Sequence, residues 1–363
     1  MDNGLDERSM HHDFARYYHT AHSAPYGDDD VFLLGRGGVL RGWTVTDCIW
    51  PGDLDSGFEL FGVDGYVGGL PAAIRAGSSL AVSGYPFFAS DTGGYRHGRP
   101  THEAMVRWTE YAALLPIFQF GGGGADHNPW NFENYGASEF SQDTLDAFVR
   151  YATLHTRLFP FFYSLALVAS TEGTPFLLPQ GLAWPGEEVH DDTVFALGEI
   201  LLVAPVEEEG ATSRALTLPE GSWVHWWTGE ASEGEVEVEA PLGEGPLFQR
   251  AGSTVPLLHP DIETLAPAGE EIASFDSDPG VLHMRVVPGE GAREFIVHDN
   301  TRLTTLPEGV NIRGGDLYTE GYRVEVWAPG ARSVTVNGDT TLFEVEGPWV
   351  RFDMPDEGTA VVD

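Results

Sequence analysis

One carboxylate in a tight turn is the most chemically suggestive feature of the 363-residue sequence. Ile49-Trp50-Pro51-Gly52-Asp53 reads as the end of a buried strand running into a sharp turn, because Pro51 and Gly52 bend the backbone while Ile49 and Trp50 can wall a cleft. A carboxyl beside a large aromatic ring tends to have its pKa raised by desolvation. Such a group can hold a proton near neutral pH and deliver it to a leaving oxygen, so Asp53 is the candidate general acid. A Pro-Gly-Asp turn is also a common way simply to end a strand. What surrounds the turn therefore decides how much chemistry it carries.

The elements that would position Asp53 follow a rhythm. Arg8 to Ala21 has apolar residues at helical spacing, and Val31-Phe32-Leu33-Leu34 is a short apolar run ending at Gly35-Arg36-Gly37-Gly38, as expected of a strand buried on both faces. Thr44 to Trp50 repeats the arrangement and ends at Asp53. The spacing predicts a helix over Leu70 to Leu80, a strand over Tyr85 to Ser90 that ends at Asp91, and a helix over Thr101 to Leu114 capped by Thr101. A fourth strand, Pro116 to Phe120, runs into the glycines 121–124, and one long amphipathic helix is predicted over Thr144 to Thr171. Strand, loop and helix alternate four times, with polar or charged residues where each strand ends.

That pattern is half of an eight-stranded parallel barrel. Beyond it the texture changes to short strands, turns and tryptophan-rich segments. The expected fold is therefore α/β plus all-β. It comprises half of a (β/α)8 TIM barrel over residues 1–171, followed by two β-sandwich domains, a proximal one over 172–260 and a distal one over 261–363.

Composition narrows the function. Every formal cation is an arginine, 19 against 56 acidic residues, and the net charge of −37 makes phosphate backbones and anionic lipid poor partners, so no nucleic acid and no membrane surface is expected. No run reaches the ~18 apolar residues of a membrane span, and the polar, acidic start Met1 to Glu7 lacks the basic-then-apolar order of a secretory signal. A soluble cytoplasmic product is the expectation. The single Cys48 excludes an intrachain disulfide and a multi-cysteine metal site. His11 and His12 are adjacent and point apart on a helix, so no metal and no cofactor is expected.

In order and at compatible spacing, several segments resemble the carboxyl-terminal part of family 31 glycoside hydrolases, the group of α-glucosidases, α-xylosidases and sulfoquinovosidases. They are Phe32-Leu33-Leu34-Gly35-Arg36, Trp50-Pro51-Gly52-Asp53, Ser83 to Tyr95, Arg107-Trp108, Leu201 to Val206, Pro219 to Trp223 and Phe248 to Ser253. The resemblance implies a retaining α-glycosidase in which Asp53 is the general acid/base, Arg36 and Asp91 grip hydroxyls of a carbohydrate substrate, and Trp50 lines the site. The chemistry of a sugar agrees, since ionised partners give strong hydrogen bonds to hydroxyls and an aromatic covers the C–H face. Each residue also has an ordinary reading: Arg36 as a strand-end ion-pair partner, Asp91 as a turn former and Trp50 as core.

The sequence departs from the family pattern in two ways. Where relatives commonly carry an arginine and a histidine at the end of the last barrel strand, Gln119 and Gly121 stand here, and His127 could supply an imidazole instead. A retaining hydrolase also needs a second carboxylate about 5–5.5 Å from the first. In the family that nucleophile lies upstream of the helix corresponding to Arg8 to Ala21, and Asp2 and Asp6 have no apolar strand ahead of them. The expected partner is therefore a complementary amino-terminal half, as from a fragment or a split gene. A non-catalytic sugar-binding remnant and a transglycosylase using the same site are the alternatives.

Overall fold

The computed structural model describes residues 14–363 apart from 15, 23, 26–30, 38–41, 61–66, 122–126, 131–139 and 188–190. Residues 16–22 form α1, within the predicted first helix; the start of that helix, with Asp2, Asp6, His11 and His12, lies outside the described residues. Four short strands follow: β1 (Leu34–Gly35), β2 (Cys48–Ile49), β3 (Ala89–Asp91) and β4 (Ile117–Gln119). β1 pairs with β2 and β3 with β4, both in parallel, while a parallel bridge from Ile49 to Phe88 joins the two pairs. The order in space is thus the order in sequence. The regular strands are shorter than the apolar runs predict, and residues 42–44 are a 3-10 turn in place of the start of the second strand.

Helices α2 (Leu70–Val82) and α3 (His102–Ala112) fill the intervals between strands, and Thr101 caps α3 by accepting the Ala104 N–H at 3.1 Å. The predicted long helix is in fact two, α4 (Gln142–Arg157) and α5 (Phe159–Glu172), hinged at Leu158. Pro160 is the reason. It has no N–H to continue the ladder and its ring clashes with the preceding turn, whereas the first turn of a new helix accepts it. Among the described residues no helix is long and apolar enough to cross a membrane.

Behind the helices lies a six-stranded sheet built from segments between Leu178 and Arg250. Its strands are apolar on both faces because each face meets a different neighbour. Phe195, Leu197, Leu201, Val203 and Leu247 join the core formed with Trp108 and Tyr111 of α3 and Tyr151 and Leu154 of α4. The alternate residues Ala196, Leu202 and Phe248 turn away onto a two-stranded ribbon, Ser213–Thr217 with Glu235–Glu239, through Leu216, Val236 and Val238. A buried ion pair fastens the junction. Arg107 donates to Glu110 at 2.9 Å and to the carbonyls of Ala211 and Ala240, while Glu110 accepts the Gly243 N–H at 2.8 Å. Burial pushes the Glu110 carboxyl up to about 7, against the opposing pull of Arg107.

The last unit has a five-stranded and a six-stranded sheet sharing one core, with Met284, Val324 and Phe352 from one sheet meeting Leu303, Ile312 and Ala360 from the other. Its first strand is Ser253–Leu257, which pairs with Leu282–Val287. Those five residues, numbered with the proximal domain in the sequence-based division at 260, make their ladder with the distal sheet.

Candidate active site

Each of the four parallel strands delivers one piece of a cluster at its carboxyl end, the position where barrel enzymes keep their chemistry. Trp50 N–H donates to the Gly35 carbonyl at 2.9 Å, which ties the turn after β2 to the end of β1. Gly52 then takes φ +93°, and a Cβ there would lie 2.7 Å from Arg36 Nε. Glycine is needed twice over, for its backbone and for the room it leaves. Through that gap Arg36 lies over the Trp50 ring at 5.1 Å and reaches Asp53, Nη2 to Oδ1 3.4 Å. The Arg36 side chain is 62% exposed and that of Asp53 31%, so both are open to a ligand.

A second layer lies beneath. Trp50 Nε1–H donates to Asp91 Oδ2 at 2.9 Å, and the Gln119 amide donates to Oδ1 at 3.1 Å. Asp91 is only 5% exposed, and burial raises its carboxyl above the ordinary range; the bonds from Trp50 and Gln119 oppose that rise, the nearby charge of Asp53 adds to it, and His127 lowers it. His127 is 2% exposed and its Nε2 lies 3.1 Å from the Gly98 carbonyl. Asp91 thus lies buried beneath the Trp50 indole, and His127 lies buried against the Gly98 carbonyl. Arg36, Trp50 and Asp53 form the accessible layer.

Gly121 carries a further consequence of this packing. A Cβ at this position would sit 2.3 Å from Asp91 Cγ, so the Asp91 carboxylate occupies the space a side chain would need. Gly121→Ala should therefore push Asp91 off Trp50 and Gln119, destabilising the chain by about 1–3 kcal/mol as an overpacked site does. A thermal melt unchanged from the unaltered protein would show that the carboxylate yields freely.

Asp55, two residues beyond Asp53, has a different task that the local sequence does not announce. It is 1% exposed, accepts the Gly68 N–H at 2.8 Å and that of Val67, and pairs with Arg96 at 3.3 Å and His97 at 2.5 Å. These partners come from two remote loops, so no short-range signal could have revealed it. Asp55 holds the loops that follow β2 and β3 together, and Tyr95 N–H donating to the Leu54 carbonyl at 2.9 Å completes the tie.

Comparison with known proteins fits this arrangement. The model of the glycosyl hydrolase family 31 TIM-barrel domain matches residues 1–165, and the model of the family 31 C-terminal domain matches residues 173–255. The chain belongs to glycosyl hydrolase family 31. Among its relatives, the sulfoquinovosidase of Escherichia coli (strain K12) is 32% identical over 231 residues, covering 62% of this chain and 32% of the relative. The isomaltosyltransferase of Sporosarcina globispora is 27% identical over 306 residues, covering 79% of this chain and 26% of the relative. The fold is shared with the cycloalternan-forming enzyme from Listeria monocytogenes in complex with pentasaccharide substrate, at TM-score 0.78 and 23% identity, over 100% of this chain and 36% of that one. The family 31 chain thus spans about a quarter to a third of the length of the curated relatives it matches.

Proposed function

We propose that this family 31 chain is the acid-bearing half of a retaining α-glycosidase barrel, its β1 to β4 corresponding to strands five to eight, followed by two β-sandwich domains. The observation that carries the reading is the clasp of Arg36, Trp50 and Asp53 above Asp91, assembled from the ends of consecutive parallel strands. In the proposed mechanism a sugar hydroxyl takes Arg36 from Asp53, which frees the carboxyl to face the leaving oxygen and donate its proton. Trp50 covers the ring face, and Asp91 fixes the indole from beneath through its N–H. The same carboxyl then takes a proton from the acceptor that resolves the covalent intermediate on the complementary half.

The acceptor is water in a hydrolase and a sugar hydroxyl in a transglycosylase. The isomaltosyltransferase and cycloalternan-forming relatives favour keeping the second reading. Combining the chain with the complementary half and following aryl α-glycosides by proton NMR tests both. The first product should be the α anomer in either case, free in solution for the hydrolase and attached to added sugar for the transferase. A β anomer would exclude the retaining route.

A further inference from the structure

A cavity rich in arginine lies apart from Asp53, which is not among its lining residues. Ala113 ends α3 just ahead of β4, and the His155 ring bonds its carbonyl at 2.9 Å, so the last turn of α4 sits at the amino-terminal end of the strands. There the cavity, of about 770 Å³, opens between α4, the proximal sheet and the distal sandwich. Arg150, Arg157, Arg285, Arg323 and Arg351 line it, five of only 19 cations in a chain of net charge −37. Trp226, Trp227 and Trp349 form apolar walls.

The charges inside do not balance. Glu325 is shared between Arg285 and Arg351, at 3.2 and 2.6 Å. Arg323 pairs with Glu344 and Asp353, and Arg351 also with Glu346, but those three carboxylates are largely exposed and face water, where screening weakens them. Arg157 has no carboxylate partner among the described residues. Its Nε donates to the Leu258 carbonyl at 3.2 Å, its side chain lines the cavity, and Glu325 attracts its charge without forming an ion pair with it. His283 reports the field: burial first, then Arg157, His259 and Arg323, drives its imidazole down to about 3. Arg285 is clamped between Trp226 at 4.2 Å and Trp349 at 3.8 Å, so its guanidinium is held in place before any ligand arrives.

We propose that this cavity is a ligand site for a sugar-sized organic anion, whose carboxylate or phosphate is held by the terminal nitrogens of Arg157 with Arg285 and Arg323 alongside. A guanidinium fork matches either oxyanion bidentately. The tryptophan walls and a volume within the ordinary range of small-molecule pockets leave room for the organic remainder. Long-range attraction cannot be the cause of binding, because the protein as a whole repels anions. The site is independent of Asp53, and a ligand there bridges α4 to both β units, so binding stabilises the junction.

Isothermal titration of the 363-residue chain at constant ionic strength with inorganic phosphate, glucose 6-phosphate, glucuronate and glucose tests this. Saturable binding and a raised melting temperature are expected with the three anions and not with glucose, and glucose 6-phosphate and glucuronate should compete for one site. Arg157→Gln should weaken the anions about tenfold or more while leaving the circular dichroism unchanged, with Arg157→Lys intermediate. No saturable binding, or full affinity retained in a folded Arg157→Gln, would overturn the proposal. Should Arg157→Gln fail to fold, the competition in the unaltered protein decides: anions that bind without competing would also overturn it.

Discussion

Asp53→Ala, in a protein carrying the complete site, is expected to lower kcat/KM toward alkyl α-glycosides by about 10²–10⁴-fold, the usual share of a general acid. That is about 3–5 kcal/mol of lost transition-state stabilisation. Aryl α-glycosides of acidic phenols should lose far less, because their leaving oxygen departs with little need of a proton. The contrast separates acid catalysis from mere binding. Removing a sugar-binding group would weaken both substrate classes alike, since neither sugar ring has changed. Arg36→Leu is the matched control, because Arg36 touches Asp53 yet is read as a sugar contact. Its loss should be similar for both leaving groups. Equal losses on alkyl and aryl substrates after Asp53→Ala would assign the acid role elsewhere.

What the sequence made legible was whatever short-range chemistry controls. Thr101 ahead of an apolar 3.6-residue pattern predicts the start of α3, and the structure starts the helix at the next residue with the Thr101 hydroxyl as its cap. Pro160 inside the long amphipathic run carried the opposite signal, and the regular spacing on either side of it hid the break at Leu158. The turn after β2 could be foreseen from Pro51-Gly52, but not that Gly52 must also make room for Arg36, because that contact joins residues from two strands. The same limit applies to the layer under Trp50. Asp91 and Gln119 meet only once β3 and β4 pair, and nothing near either residue shows that the carboxylate fills the space beside Gly121. Ser253–Leu257 follows the proximal strands so closely that sequence grouped it with them, although its hydrogen bonds go to a strand some thirty residues later.

Residues 1–363 expressed by themselves are expected to associate and to show no α-glycosidase turnover. On the proposed reading, in which the second carboxylate comes from a complementary half, a donor of protons acting alone cannot form the covalent intermediate. Association follows from the fold. Among the described residues the outer sides of β1 and β4 have no strand beside them, so the row of peptide groups on each is a template for pairing. Phe32 is 60% exposed and Leu34 36%, an apolar surface at the open edge of β1. Phe118, which alternation would have aimed at the barrel interior, instead packs toward α4 against Phe148 and His155, and Phe87 also packs on the core, so the sticky surface is concentrated near β1. The charge of −37 opposes association, and at low salt that repulsion acts over a long distance. Screening shortens its reach to about 8 Å at physiological ionic strength and about 3 Å at 1 M, while the apolar contact is not weakened. Association should therefore increase with sodium chloride. Sizing by light scattering from low to high salt, with an assay against aryl α-glycosides at each step, makes the test. On the same reading, adding the complementary half should give both a single size and turnover, because it would cover the β1 and β4 edges and supply the second carboxylate in one event. A salt-independent, catalytically active monomer would mean that this chain holds its own nucleophile and closes its own sheet.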